Sequence, residues 1–288
     1  MKRHSIESGD GIMLSVEDRG PEGGEAILFV HEFGGDMGTW DGAFETLSRN
    51  FRCIRYAARG FHPSAVPGGK SHYGQDRSTQ DLLDVAQAMG LRRFHLVGCS
   101  MGSFTSLMAA IKAPDAVLSL TLIGCSSGPH DAEQTQAYRM ALSREIALLD
   151  DKAGDGAVEW FAADTAYARM GEKQPAIWQA YLDRLKSQSV EGARNVLNKV
   201  HWNRRSLTEL RESIQKITSP ALVLYGEEDH PLVLQTAPFL QDCLSNCWVL
   251  TAPDTGHLVH LEEPKLFQDA FLQLTQAANI GQSRKEMR

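Results

Sequence analysis

The sequence predicts an α/β protein built on a mostly parallel sheet with helices on both faces and a helical insertion late in the chain. Two observations carry this. Short apolar runs alternate with helical patterns through the first 128 residues, and from about Pro129 to Arg205 the strand signal vanishes before returning at Ala221. The length of 288 residues and the hydrophobic fraction of 42% suit one large domain, or one domain carrying an insertion, with an ordinary buried core.

The strands are expected at Ile12 to Val16, Ala26 to His31, Cys53 to Ala57, Phe94 to Cys99 and Leu118 to Gly124, then at Ala221 to Tyr225 and Cys247 to Leu250. Between the third and fourth, Leu82, Leu83, Val85 and Met89 recur at helical spacing and Gly90 supplies a stop. Ser103 to Lys112 and Phe267 to Ala277 have the same helical character. The insertion reads as helices near Gln136 to Leu149, Gly156 to Ala163, Ile177 to Lys186 and Glu191 to Val200. The expected division is therefore a core of 1–128 and 206–288 with a helical cap over 129–205.

Composition excludes several functions. The net charge of −7 is spread along the chain, and the basic cluster Arg284, Lys285 and Arg288 is too small for a nucleic-acid footprint. No apolar run is long enough to span a bilayer, and none of signal-peptide length follows Met1 to Ser5. Cys53, Cys99, Cys125, Cys243 and Cys247 are odd in number and lack a Cys-x-x-Cys pair, which suits reduced thiols in a cytoplasm; Cys243 and Cys247 could in principle meet. No phosphate-binding glycine motif follows a strand, and no metal-ligand cluster surrounds the His257-Leu258-Val259-His260 spacing. A small-molecule substrate, no cofactor, and a cytoplasmic monomer or homodimer are expected.

The chemistry-bearing motif is Gly98-Cys99-Ser100-Met101-Gly102, set between an apolar strand and a helix. In that context Gly-x-Ser-x-Gly holds a serine hydroxyl out at the carboxyl edge of a sheet, and small flanking residues let helix and strand approach closely. From about Gly9 to Ala277 the chain resembles a capped α/β-hydrolase, with its other motifs in that family's order. A serine hydroxyl at neutral pH needs a base and an orienting carboxylate, and the family places both downstream, acid first.

By the resemblance the acid is Asp229, in Gly226-Glu227-Glu228-Asp229-His230-Pro231 after an apolar strand, with Glu227 and Glu228 as alternatives. The base is His257, in Asp254-Thr255-Gly256-His257, with His260 as its rival three residues on. The loop His31-Glu32-Phe33-Gly34-Gly35 resembles the family's His-Gly-x-x-Gly loop, which implies that the backbone N–H groups of Phe33 and Met101 hold an oxyanion. Two departures stand out. Glu32 occupies a position where the family usually has glycine, and Ala57-Ala58-Arg59-Gly60 lacks the family's aspartate. A pairing of Glu32 with Arg59 is expected from the two neighbouring loops.

The resemblance implies a serine hydrolase of a small carboxylic ester or lactone, acting through a Ser-His-Asp triad and an acyl-enzyme. A similar triad also serves carbon–carbon bond hydrolases and cofactor-free haloperoxidases, and the fold also serves as a non-catalytic ligand-binding protein. Trp160, Trp178 and Trp202, with Phe161, Tyr167 and Tyr181, lie in the insertion. Part of this aromatic set is expected to wall the substrate pocket, and part to pack cap helices together.

Overall fold

Ala26–Val30, Phe94–Cys99 and Val117–Ile123 are buried at every position, as strands covered on both faces must be. The computed structural model describes residues 1–150 and 162–286. Its strands are β1 (Lys2–Glu7), β2 (Met13–Arg19), β3 (Ala26–Val30), β4 (Arg52–Tyr56), β5 (Phe94–Cys99), β6 (Val117–Ile123), β7 (Ala221–Gly226) and β8 (Cys247–Ala252). They form one 8-stranded sheet in the order β1, β2, β4, β3, β5, β6, β7, β8. The β1–β2 and β2–β4 pairs are antiparallel and the others parallel. Six of the strands lie where the sequence places them, within a few residues. The seventh, expected over Ile12 to Val16, runs on to Arg19. Nothing in the sequence pattern announces β1, because Lys-Arg-His-Ser-Ile-Glu is largely exposed and carries no apolar rhythm.

Two apolar layers cover the sheet. On one face Ile27 and Phe29 pack with Trp40, Phe44, Phe267 and Phe271, which come from α1 (Asp41–Leu47), the turn before it, and α10 (Pro264–Glu286). On the other, Leu28 and Val30 pack with α2 (Gln75–Ala88), α3 (Met101–Lys112) and α9 (Pro231–Cys243) through Leu82, Val85, Phe104, Leu107 and Leu240. Between β6 and β7 the chain forms α4 (Ala132–Asp150), α5 (Thr165–Lys173), α6 (Pro175–Ser187) and α7 (Val190–Val196), a π-helical turn Leu197–His201, and the short α8 (Arg211–Ile214). No strand occurs among the described residues of this segment. The expected helix at Gly156, with Trp160 and Phe161, falls outside the described residues except for its last two positions. All five cysteines are free, Cys243 and Cys247 included, and no helix among the described residues is long and apolar enough to cross a membrane.

The helical segment rests on the strand-end loops by backbone contact. A Cβ at Gly192 would stand 1.9 Å from the carbonyl oxygen of Gly60, and one at Gly256 would stand 2.0 Å from that of Ala166. Arg59, in the loop after β4, does not meet Glu32, contrary to the expectation from the sequence. Its Nε and Nη2 grip Asp81 of α2 at 2.6 and 2.7 Å, while Nη1 and Nη2 reach Asp10 at 2.9 and 2.8 Å. Its carboxylate partners thus come from a helix and from the β1–β2 turn. Removing one partner of a buried pair leaves the other charge uncompensated. Arg59→Ala is therefore expected to lower stability by about 3 to 5 kcal/mol. Urea unfolding followed by circular dichroism measures this, and an unchanged midpoint would contradict the role.

Candidate active site

The turn from β5 into α3 places Ser100 at φ 51° and ψ −111°. A non-glycine residue there costs about 1 to 3 kcal/mol and needs its surroundings to hold it. They do. A Cβ at Gly98 would lie 2.4 Å from the Gly102 carbonyl oxygen, and one at Gly102 would lie 2.2 Å from that of Val30, so only glycines let strand, turn and helix meet. The Ser100 N–H bonds the Ile123 carbonyl at 2.8 Å, and Ser103 Oγ donates toward the carbonyls of Gly98 and Ile123 at 2.7 and 2.6 Å.

The loops after β7 and β8 bring the other two residues together. Asp229 Oδ1 lies 2.6 Å from His257 Nδ1, and both side chains are buried. Gly226 makes the approach possible, since a Cβ on it would stand 2.1 Å from the Gly256 carbonyl oxygen. The His257 ring faces Gly124, immediately after the Ile123 that holds Ser100: a Cβ on Gly124 would come within 2.8 Å of His257 Cε1. The His257 N–H bonds the Ala166 carbonyl of α5 at 2.7 Å, which ties the helical segment to the site. The neighbouring acids are engaged elsewhere: Glu228 pairs with Arg169, and Glu227 accepts from the Asp254 N–H. His260 is buried against Trp40, ring centroids 4.3 Å apart, and burial together with His257 pushes its pKa down to about 3.

Burial alone would lower the pKa of His257. The charge and hydrogen bond of Asp229, with Glu32 and Asp164 beyond it, outweigh that and raise it. Glu32 turns inward beneath the elbow: one of its carboxylate oxygens, a Cys99 sulfur and a His260 nitrogen all lie within 4.8 Å of one another. Its carboxyl group has no hydrogen-bond partner among the described residues, and burial raises its pKa to about 7. Gly35 leaves room for it, because a Cβ there would lie 2.0 Å from Oε1. His31 fixes the loop instead of Glu32. Its Nε2 accepts the Ala58 N–H at 2.9 Å, so Nδ1 carries the proton and donates to the Glu32 carbonyl at 2.7 Å. The loop abuts α3, as a Cβ on Gly102 would lie 2.7 Å from the His31 carbonyl oxygen. The loop after β3 therefore starts against the first turn of α3, next to Ser100 in the chain.

Of the tryptophans expected at the pocket, Trp160 lies outside the described residues and the other two make these contacts. Trp178 stacks on Tyr181 at 5.7 Å and packs against Gly171, joining α5 to α6, while Trp202 lies under the Arg139 guanidinium at 5.4 Å. The rings brought to the site are Tyr167, 5.3 Å from His257, and His230, 5.0 Å from it. His201 sits 5.2 Å from Phe33. The sequence assigns His230 and His201 no role, and their only signal is proximity to the acid loop and to the end of the insertion.

A family model described as alpha/beta hydrolase fold matches residues 25–264. The chain belongs to this family. Among members of the alpha/beta hydrolase fold family, it is 25% identical over 266 residues to 3-oxoadipate enol-lactonase 1 of Acinetobacter baylyi, covering 92% of this chain and 94% of that one. It is 26% identical over 270 residues to a 2-hydroxy-6-oxo-6-(2'-aminophenyl)hexa-2,4-dienoic acid hydrolase of Metapseudomonas resinovorans, covering 89% and 86%. The crystal structure of an enol-lactonase from Burkholderia xenovorans superposes with a TM-score of 0.82 at 19% identity, covering 95% of this chain and 100% of that one.

Within this family fold, any reaction that uses His257 as a base requires its neutral form, so activity falls as the pH drops through its raised pKa. The acid limb of kcat/KM is expected above the ordinary histidine value of about 6.5. Glu32→Gln removes a negative charge that raises His257, and is expected to move this limb to lower pH. A limb that stays in place or moves upward would show that Glu32 does not act on His257.

Proposed function

We propose that the protein is a serine hydrolase of small carboxylic esters or lactones, with Ser100 as nucleophile, His257 as base and Asp229 as orienting acid. The observation that supports it most is the 2.6 Å contact between Asp229 and His257 beside a strained serine at a strand-to-helix turn. Asp229 binds Nδ1 and so leaves Nε2 for the serine. In this reading Ser100 Oγ attacks the acyl carbon as its proton passes to His257 Nε2. The N–H groups of Phe33 and Met101 hold the resulting oxyanion, and preorganised donors of this type contribute about 3 to 4 kcal/mol each. Collapse expels the alcohol, which takes the proton from Nε2. Water then gives its proton to Nε2 and attacks the acyl-enzyme, and Nε2 returns that proton to Ser100 Oγ as the acid is released. The likeness to an enol-lactonase supports the lactone branch of this reading. Segment 129–205 serves as the cap, and its Tyr167 forms part of the pocket wall beside His257.

A second reading keeps the triad and changes the bond cleaved. The likeness to a dienoic acid hydrolase supports carbon–carbon cleavage of a vinylogous 1,5-diketone.

Ser100→Ala is expected to lose about 10⁴- to 10⁶-fold in kcat with circular dichroism unchanged. His257→Ala should be severely impaired, Asp229→Asn somewhat less so, and His260→Ala mildly. The measurement is kcat/KM on p-nitrophenyl esters beside a 1,5-diketone ring-cleavage product. A folded Ser100→Ala enzyme keeping more than about a tenth of its activity would refute the nucleophile. Diketone cleavage with negligible ester hydrolysis would replace the first reading by the second.

A further inference from the structure

Three arginines show how this chain ordinarily satisfies a guanidinium. Arg52, Arg55 and Arg59 each turn the edge formed by Nε and Nη2 toward a carboxylate: Asp18 at 3.2 and 2.8 Å, Glu17 at 2.9 and 2.7 Å, and Asp81 at 2.6 and 2.7 Å. On that edge the two N–H bonds run parallel, which suits a carboxylate better than any other common group.

Arg204 is the exception. It is 6% exposed, as buried as Arg55. Its Nη1 donates to Ser126 Oγ at 2.7 Å and its guanidinium lies 5.1 Å from the Phe104 ring centroid, so the group is held in place. Its Nε and Nη2 are buried without a hydrogen-bond partner among the described residues. The parallel edge is thus built and fixed, with no acceptor among those residues. A carboxylate seated on it would be driven to low pKa. Glu145, which does feel the Arg204 charge, instead has its pKa raised to about 7 by burial, with Asp164 adding to the rise. No hydrogen bond or ion pair joins Glu145 to Arg204 among the described residues.

The position bears on Ser100. Phe104 stands in the first turn of α3, its N–H bonded to the Ser100 carbonyl at 3.1 Å. Ser126 follows Gly124, the residue that faces His257, by two positions. His201, three residues before Arg204, lies against Phe33 of the oxyanion loop. The guanidinium therefore lies over the first turn of the helix that Ser100 opens, and its charge reaches His201.

We infer that Arg204 is an anion anchor, whose Nε and Nη2 receive a carboxylate of the substrate, so that the preferred esters or lactones carry a second, ionised carboxyl group a few bonds from the scissile carbonyl. This rests on Ser100 being the nucleophile, as proposed above.

The direct test compares two esters that differ only in replacement of a terminal methyl by a carboxylate: p-nitrophenyl valerate and the p-nitrophenyl monoester of glutaric acid. Wild-type kcat/KM is expected to favour the glutarate ester by about 10- to 100-fold, the range of a hydrogen-bonded charge pair. Arg204→Gln should bring the ratio to near one. Arg204→Lys keeps the charge but not the parallel edge, and should fall between. Calorimetric binding of glutarate to Ser100→Ala, compared with Ser100→Ala/Arg204→Lys, gives a readout independent of turnover and of the glutamine variant's folding. Saturable binding that weakens at least about tenfold in the double variant is expected. Cleavage of both esters at a ratio near one, with no glutarate binding, would overturn the anchor and leave the hydrolase intact. Glutarate binding through Arg204 with neither ester cleaved would uphold the anchor and overturn the hydrolase reading.

Discussion

The site depends on a backbone conformation that serine does not choose for itself. Ser100 at φ 51° is held because β5, α3 and the end of β3 meet at distances that a single methyl group on Gly98 or Gly102 would forbid. The cost is met by the sheet: β5 is paired on both sides, its residues are buried throughout, and Ile123 of the neighbouring strand accepts the Ser100 N–H. Position and strain have one origin. The same close packing that bends the chain at Ser100 brings the start of the loop after β3 against Gly102.

Around this fixed point the charges are arranged unequally. Asp229 is joined to His257 through Oδ1, whereas the Glu32 carboxyl and the Nε–Nη2 edge of Arg204 are buried without hydrogen-bond partners among the described residues. Burial penalises an ionised group strongly unless something compensates it. The two groups answer differently. Glu32 can shed its charge by binding a proton, and its pKa moves to about 7 accordingly. An arginine has no such escape, so its compensation has to come from another group, and a ligand carboxylate matches its open edge. That difference in chemistry makes Glu32 a modulator of His257 and Arg204 a recogniser of ligand.

Much of this order is legible in the sequence because it is local. Gly98 to Gly102 announces the elbow in five residues, and the loops holding Asp229 and His257 each follow an apolar strand, so chain order alone ranks them. A buried strand such as β3, Ala-Ile-Leu-Phe-Val, declares itself by an unbroken apolar run. What stays hidden is what depends on distant residues meeting. The Arg59 partner comes from α2 rather than from the adjacent loop, so reasoning from neighbouring strands points to Glu32 wrongly. Nothing local distinguishes Arg204, with no carboxylate partner among the described residues, from Arg205 beside it, which lies near Glu209. Likewise α9 is obscured by Pro238 within its helical pattern, and β1 because a polar edge strand has no buried face to record.

Covalent chemistry at Ser100 is the claim on which the rest turns. It is tested most directly by quenching the enzyme in acid during steady-state turnover of an ester and mapping the modified peptide by mass spectrometry. The substrate's acyl mass is expected on Ser100, rising within the first turnover and disappearing as substrate is exhausted. Rapid turnover with Ser100 unmodified throughout, or an acyl group carried by another residue, would contradict it.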